Sequence, residues 1–177
     1  SLLFEPGTDY EYSTYGWNLI RAVIRGASGT PFLTFMQREV FEPLGLRSIV
    51  PGHIDSIIPY RASFYEREDD MTALVNAPYV DNSYKWAGGG FVSNTEDLVR
   101  FGWAHLAGDF LDDATITALF TAQRTRSGED TGYGLGWASG EDAAGRRTVS
   151  HGGSSIGGRA MLVLYPDQRV VVAMLAN

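Results

Sequence analysis

Three short segments of this 177-residue chain carry side chains that could do chemistry together. Tyr12-Ser13-Thr14 offers a phenol and two hydroxyls just ahead of an apolar stretch. A phenol can relay a proton, and hydroxyls can donate to or accept from a substrate. The same residues also read as a core tyrosine followed by helix caps. The second segment is Ser150-His151-Gly152-Gly153-Ser154-Ser155-Ile156-Gly157. Histidine can hydrogen-bond or transfer a proton near neutral pH, and glycines beside it let a substrate backbone lie close to a strand edge. A glycine-rich hairpin with an incidental histidine is the plainer reading. The third segment is Lys85-Trp86-Ala87-Gly88-Gly89-Gly90. Its glycine run implies close backbone passage or positive φ, although packing alone would also explain it.

Two tempting motifs fail. Gly153-Ser154-Ser155-Ile156-Gly157 matches G-x-S-x-G in letters. A nucleophile elbow needs a strand, a sharp turn and a helix, with an acid and a histidine following. Here the next segment alternates like a strand, and no histidine follows His151. Ser83-Tyr84-Lys85 pairs a serine with the chain's lone lysine, but two residues apart. Residues must lie three or four apart to share a helix face, so S-x-x-K is absent from the chain.

The elements that must position these groups can be read from periodicity. Ser13 or Thr14 can cap a helix whose apolar residues are Trp17, Ile20, Val23 and Ile24, broken at Gly26 to Thr30. Pro31 suits the first turn of a second helix, with Phe32, Phe35, Met36 and Val40 on one face and Pro43-Leu44-Gly45 at its end. Val50 to Asn82 reads as a long excursion with one hairpin. Ser93 or Asn94 caps a third helix through Leu98, Phe101 and Leu106, with Glu96 and Asp97 suiting the dipole, and Ala114 to Ala122 is a short fourth. Tyr133, Leu135 and Trp137 alternate with glycines and predict a strand. Arg147 to Ser150, Arg159 to Tyr165 and Arg169 to Ala176 predict three more, the last two joined at Pro166-Asp167-Gln168. Helices first, then antiparallel strands, is an α+β order.

Composition narrows the chemistry. There is no cysteine, which excludes thiol catalysis, disulfides and thiolate metal sites, and no cofactor is expected. Three histidines, His53, His105 and His151, are too few to suggest a histidine-rich metal site. The net charge of −7 argues against nucleic acid or an anionic membrane as the main partner. No apolar run approaches the roughly 20 residues of a membrane helix. Thirteen of the 14 basic residues are arginine, so a lysine-dependent mechanism must use Lys85 or a residue outside this chain.

Taken in order, the segments resemble a known family. Phe4-Glu5-Pro6-Gly7 with Tyr12-Ser13-Thr14-Tyr15-Gly16 is similar to F-x-P-G…Y-S-N-x-G. Phe41-Glu42-Pro43-Leu44-Gly45-Leu46 is similar to F-x-P-L-G-M, and Gly88 to Leu98 to G-G-x-x-S-T-x-x-D-L. Tyr133-Gly134-Leu135-Gly136-Trp137 and His151-Gly152-Gly153 follow, the latter where many members carry K-T-G and others H-x-G. These resemble the serine β-lactamase-like superfamily of class C β-lactamases, penicillin-binding proteins and related esterases. Val75 to Gly90 is similar to its mitochondrial LACTB branch and bacterial relatives of that branch.

The resemblance implies a β-lactamase/transpeptidase-like fold. Residues 1–177 would form the C-terminal portion of a single domain, lacking the S-x-x-K portion and the final helix. It also implies an acyl-enzyme hydrolase whose serine and lysine lie upstream, so that the chain alone is inactive and needs its N-terminal segment. Tyr12 would relay the proton, and His151 would bond Tyr12 or the substrate. Thr14 and Gly153 would face the substrate, and the Ser154 N–H would complete an oxyanion hole. Thr14 stands where family β-lactamases carry asparagine. A small-molecule or peptide substrate is expected, and the shorter reach of Thr14 fits a peptide or ester better than a β-lactam; a true β-lactamase or D,D-peptidase is the second alternative. The competing reading is a non-catalytic binding or self-assembling scaffold, with a homo-oligomer compatible with either. A bacterial envelope is the favoured compartment, with mitochondria the alternative.

Overall fold

The computed structural model describes residues 2–67 and 73–177. Helix α1, Thr14–Ser28, begins where Ser13 Oγ accepts from Gly16 N–H and ends at Gly29. Helix α2, Phe32–Met36, follows Pro31 and continues into a widened turn over Gln37–Phe41. Two short strands, β1 (Val50–Pro51) and β4 (Phe91–Val92), pair antiparallel. Between them a hairpin is formed by β2 (Tyr65–Arg67) and β3 (Leu74–Asn76). This is the hairpin expected in the long excursion; residues 68–72 between its arms lie outside the described residues.

The lysine–glycine segment forms a turn at Ser83–Lys85 and one helical turn, α3, at Trp86–Gly89. Helix α4, Thr95–Ala107, is capped by Asn94, whose side chain accepts from Asp97 N–H. The buried Asp97 carboxylate in turn accepts from Ser48 N–H at 2.6 Å, tying the exit of the second helix to α4. Helix α5 spans Asp113–Phe120 behind the Asp112 cap.

The last four strands form one antiparallel sheet in the order β5 (Ala138–Glu141), β6 (Arg147–Ser155), β7 (Gly158–Tyr165), β8 (Val170–Ala176). Strand alternation sorts its side chains by face. Register puts Val149, Leu162, Leu164, Val171 and Ala173 on one face. There they pack with Phe120 and Trp137 beneath Leu98, Phe101, Leu106, Ile116 and Leu119 of α4 and α5. Val149 and Leu164 are fully buried. The opposite face carries Met161, Val170, Val172 and Met174, all exposed.

One expected strand is a turn. Tyr133 to Trp137 does not extend as a ladder: Gly134 N–H bonds Trp137 C=O at 2.7 Å, and Gly136 has φ 95°. Positive φ breaks an extended run, so β5 starts only at Ala138. The alternation of large residues reflects a glycine-hinged turn, with Tyr133 facing the candidate site and Trp137 the core.

Candidate active site

The site begins where the core face of the sheet runs out. Along β6, Val149, His151 and Gly153 share that face. Val149 is sealed under the helices, while His151 is one step past the core. Four aromatic rings converge there from distant parts of the chain. The His151 ring centroid lies 6.1 Å from Tyr12, 6.2 Å from Tyr133 and 6.3 Å from Trp17. Tyr12 and Tyr133 meet edge-on at 5.9 Å, and Tyr10 stacks on Tyr133 at 5.5 Å. Edge-on and offset packing at such distances suits aromatic quadrupoles.

Burial holds the His151 imidazole below its ordinary pKa, against the opposing pull of a hydrogen bond with the Gly152 backbone. At neutral pH it is therefore a neutral ring with one donor and one acceptor. His105 is lowered for the same reason, but it serves packing: it sits among Phe101, Phe110, Phe120 and Trp137 and hydrogen-bonds Phe101 C=O at 2.8 Å. Both folded pKa values lie below the unfolded 6.5. The unfolded chain then binds more protons below that pH, and stability falls as pH drops through it. The melting temperature should decline from pH 7.5 to 5.5, and His151→Gln should flatten that decline. An equal slope in the variant would remove His151 from the effect.

Tyr12 reaches the cluster because Ser13 caps α1 directly behind it. Thr14 packs on the glycine run: a Cβ at Gly88 would stand 2.8 Å from Thr14 Cγ2 and 3.2 Å from Thr14 O. That contact is why glycine occupies position 88. Gly88→Ala should push the start of α1 outward and lower stability by about 1–3 kcal/mol, read as a loss in melting temperature; an unchanged melting temperature would contradict the close approach. Lys85, the lone lysine, shares one tight turn with Ser83, two positions away and not three.

The backbone of β6 supplies the other half of the site. Asp142 N–H bonds Arg146 C=O at 2.9 Å, while Ser139 N–H turns the opposite way to Gly132 C=O. Antiparallel alternation then points the backbone groups of Thr148 and Ser150 at β5. The same alternation sends those of Gly152 and Ser154 to that side too. Strand β5 ends its pairing at Ala138–Ser150. Gly152 and Ser154 therefore present N–H and C=O groups along an open edge, which no described strand pairs. Gly153 lies between them, where an added Cβ would meet only the Ala160 Cβ, at 3.6 Å. Packing does not demand glycine there; its bareness keeps the ground beside His151 clear.

Beyond Ser154 the edge opens into a cleft of about 790 Å³ lined by Tyr65, Tyr84, Lys85, Ile156 and Arg159 among others. Tyr12, His151, Gly153 and Ser154 thus share one neighbourhood, with Thr14 at its margin against Gly88. Tyr133 and Trp17 join them. Tyr133 could have been found from its place in Tyr-Gly-Leu-Gly-Trp, but the strand reading hid its direction. Trp17 carried only a helical-period signal. Among the described residues no cluster of histidine, aspartate or glutamate could hold a metal ion. No helix among them is long and apolar enough to cross a membrane.

Comparison with known proteins decides the family. The Beta-lactamase family profile matches residues 1–177. The chain belongs to the beta-lactamase family. It is 33% identical over 192 residues to the mitochondrial serine beta-lactamase-like protein LACTB of Homo sapiens, covering 94% of this chain and 35% of LACTB. It is 29% identical to penicillin-binding protein 4* of Bacillus subtilis, covering 98% of this chain and 41% of that protein. The chain therefore spans about a third to two-fifths of these relatives. A D-stereospecific amidohydrolase from Streptomyces sp. superposes with a TM-score of 0.84 at 24% identity, over 98% of this chain and 52% of that one. The octameric penicillin-binding protein homologue from Pyrococcus abyssi gives 0.83 at 23% identity, over 99% and 40%. The helices and four-stranded sheet of this beta-lactamase family chain thus have the β-lactamase/transpeptidase-like fold.

Proposed function

We propose that the chain is the C-terminal portion of one β-lactamase-like catalytic domain, a serine hydrolase working through an acyl-enzyme on peptide, ester or amide substrates. The observation that carries the reading is the meeting of Tyr12 and His151, 139 positions apart in sequence, beside the open edge that bears Ser154 N–H. In this reading a serine and a lysine upstream of residue 1 complete the site. The serine oxygen attacks the substrate carbonyl carbon, and its proton passes to the Tyr12 oxygen in the phenolate form that the lysine charge favours. The carbonyl oxygen gains negative charge and is held by the Ser154 N–H and the serine's own N–H. The bond to the leaving group then breaks, and the leaving group takes the proton. Water repeats the sequence on the acyl-enzyme, releasing the acid and restoring the serine.

His151 and Thr14 shape the substrate class. A neutral imidazole where many members carry lysine offers hydrogen bonds without a fixed charge, which weakens any grip on a substrate carboxylate. Thr14, with its methyl against Gly88, has less reach than an asparagine amide. Both favour peptide or ester substrates over β-lactams. Relatives named D-aminopeptidase, such as that of Gluconobacter oxydans at 22% identity, agree with that preference. The test is covalent labelling of the full-length protein by a fluorophosphonate probe. Labelling at a serine upstream of residue 1 is expected. A folded, unlabelled protein that retains S-x-x-K would reject the reading in favour of a non-catalytic scaffold.

A further inference from the structure

We infer that Tyr133 is a positioning residue of this site, its ring setting Tyr12 and His151 and its hydroxyl held as a hydrogen-bond donor for an acceptor of the reacting complex. The inference rests on the acyl-enzyme reading above and adds a residue to it. Tyr133 is the hub of the aromatic cluster, touching Tyr10, Tyr12 and His151 at 5.5, 5.9 and 6.2 Å between ring centroids. His151 also meets three rings, those of Tyr12, Tyr133 and Trp17 at 6.1, 6.2 and 6.3 Å. Among the described contacts Tyr133 alone joins Tyr10 to that set.

Its backbone is tied down. Tyr133 C=O accepts from Gln123 N–H at 2.9 Å and from Thr131 Oγ1 at 3.0 Å, and its N–H donates to Thr131 Oγ1 at 3.2 Å. The preceding Thr131 and following Gly134 are bonded as well, Gly134 N–H to Trp137 C=O. The ring is thus delivered from an anchored turn and not from a mobile loop tip.

The hydroxyl is the telling atom. It is buried and has no hydrogen-bond partner among the described residues. A phenylalanine would make the same ring contacts without that uncompensated desolvation. Unpartnered buried polar atoms are rare in folded proteins and call for an acceptor. Burial, with Tyr12 and Tyr10 nearby, pushes this phenol up to about 12. It therefore keeps its proton throughout the range in which hydrolases work. Of the phenols in the cluster, Tyr133 is suited to donate a hydrogen bond and unsuited to carry a proton away. The acceptor belongs either to the upstream catalytic segment or to the substrate.

The experiment uses the full-length protein and a fluorophosphonate probe, with kinact and KI measured separately for wild type and Tyr133→Phe. For Tyr133→Phe, kinact should fall about tenfold or more, the value of one hydrogen bond to a charged centre, with KI within about twofold and circular dichroism unchanged. A melting temperature that also falls assigns the acceptor to the protein; one that holds or rises assigns it to the reacting probe. Tyr133→Leu, which removes the ring as well, should lose more kinact than Tyr133→Phe. Wild-type kinact in Tyr133→Phe would overturn the inference and leave the proposed function standing. Failure to label the wild type overturns both.

Discussion

Tyr12→Phe in the full-length protein should cut turnover by about 10²–10⁴-fold, the range for a positioned proton-transfer group, while folding stays nearly intact. Two structural facts make the split sharp. Tyr12 is 44% exposed, and its hydroxyl makes no hydrogen bond to a described residue, so deletion of the oxygen removes little stability. Its ring contacts with Tyr133 and His151 survive in phenylalanine. The loss should therefore appear in kcat for a peptide or ester substrate, with the melting temperature within a degree or two. Turnover equal to wild type would remove Tyr12 from its role. A large loss of stability would show that the phenol serves the fold instead.

Ser154→Pro should lower kcat/KM by about 10²–10³-fold, the typical effect of removing one oxyanion donor. Proline lacks the N–H, and this N–H faces the open edge. Proline is tolerated in a sheet where its nitrogen faces outward, so pairing of β6 with β7 should persist. Ser155→Pro is the control. Alternation turns the Ser155 N–H toward Gly158 of β7, and its removal should destabilise the hairpin directly. Equal stability losses in the two variants would contradict the assigned direction of the edge. Equal activity in Ser154→Pro and wild type would dismiss the oxyanion role.

Much of the scaffold is legible in the sequence because it rests on local rules. The sequence offers Ser13 or Thr14 and Ser93 or Asn94 as caps, and the structure uses Ser13 and Asn94. Gly29 ends the first helix with φ 65°, as a glycine after the last turn does. The alternation in Arg159–Tyr165 and Arg169–Ala176 is strand periodicity, and those strands form with the turn at Pro166 to Gln168 between them. Tyr133 to Trp137 misleads because period two is also produced by large residues flanking glycines. What separates strand from turn there is the φ of Gly136 and the hydrogen bond from Gly134 to Trp137, neither of which a residue letter records.

The candidate site divides along the same line. By itself the sequence determined the chemical types: a phenol at Tyr12, an imidazole at His151, bare backbone at Gly152 and Gly153, no thiol, and no lysine correctly spaced from a serine. Motif order determined the family resemblance, since order survives divergence better than any single residue. Only the tertiary structure decided that Tyr12 and His151 meet, because the start of α1 must reach β6 across the intervening 138 residues, as the contact of Trp17 with His151 also shows. Only the register decided that Ser154 faces an open edge, since hydrogen-bond direction follows from which residue of β5 pairs last. Tyr133 was made a wall of the site by a turn that long-range backbone bonds hold in place. Its hydroxyl, buried and without a hydrogen-bond partner among the described residues, takes that state only in the folded cluster with Tyr10, Tyr12 and His151.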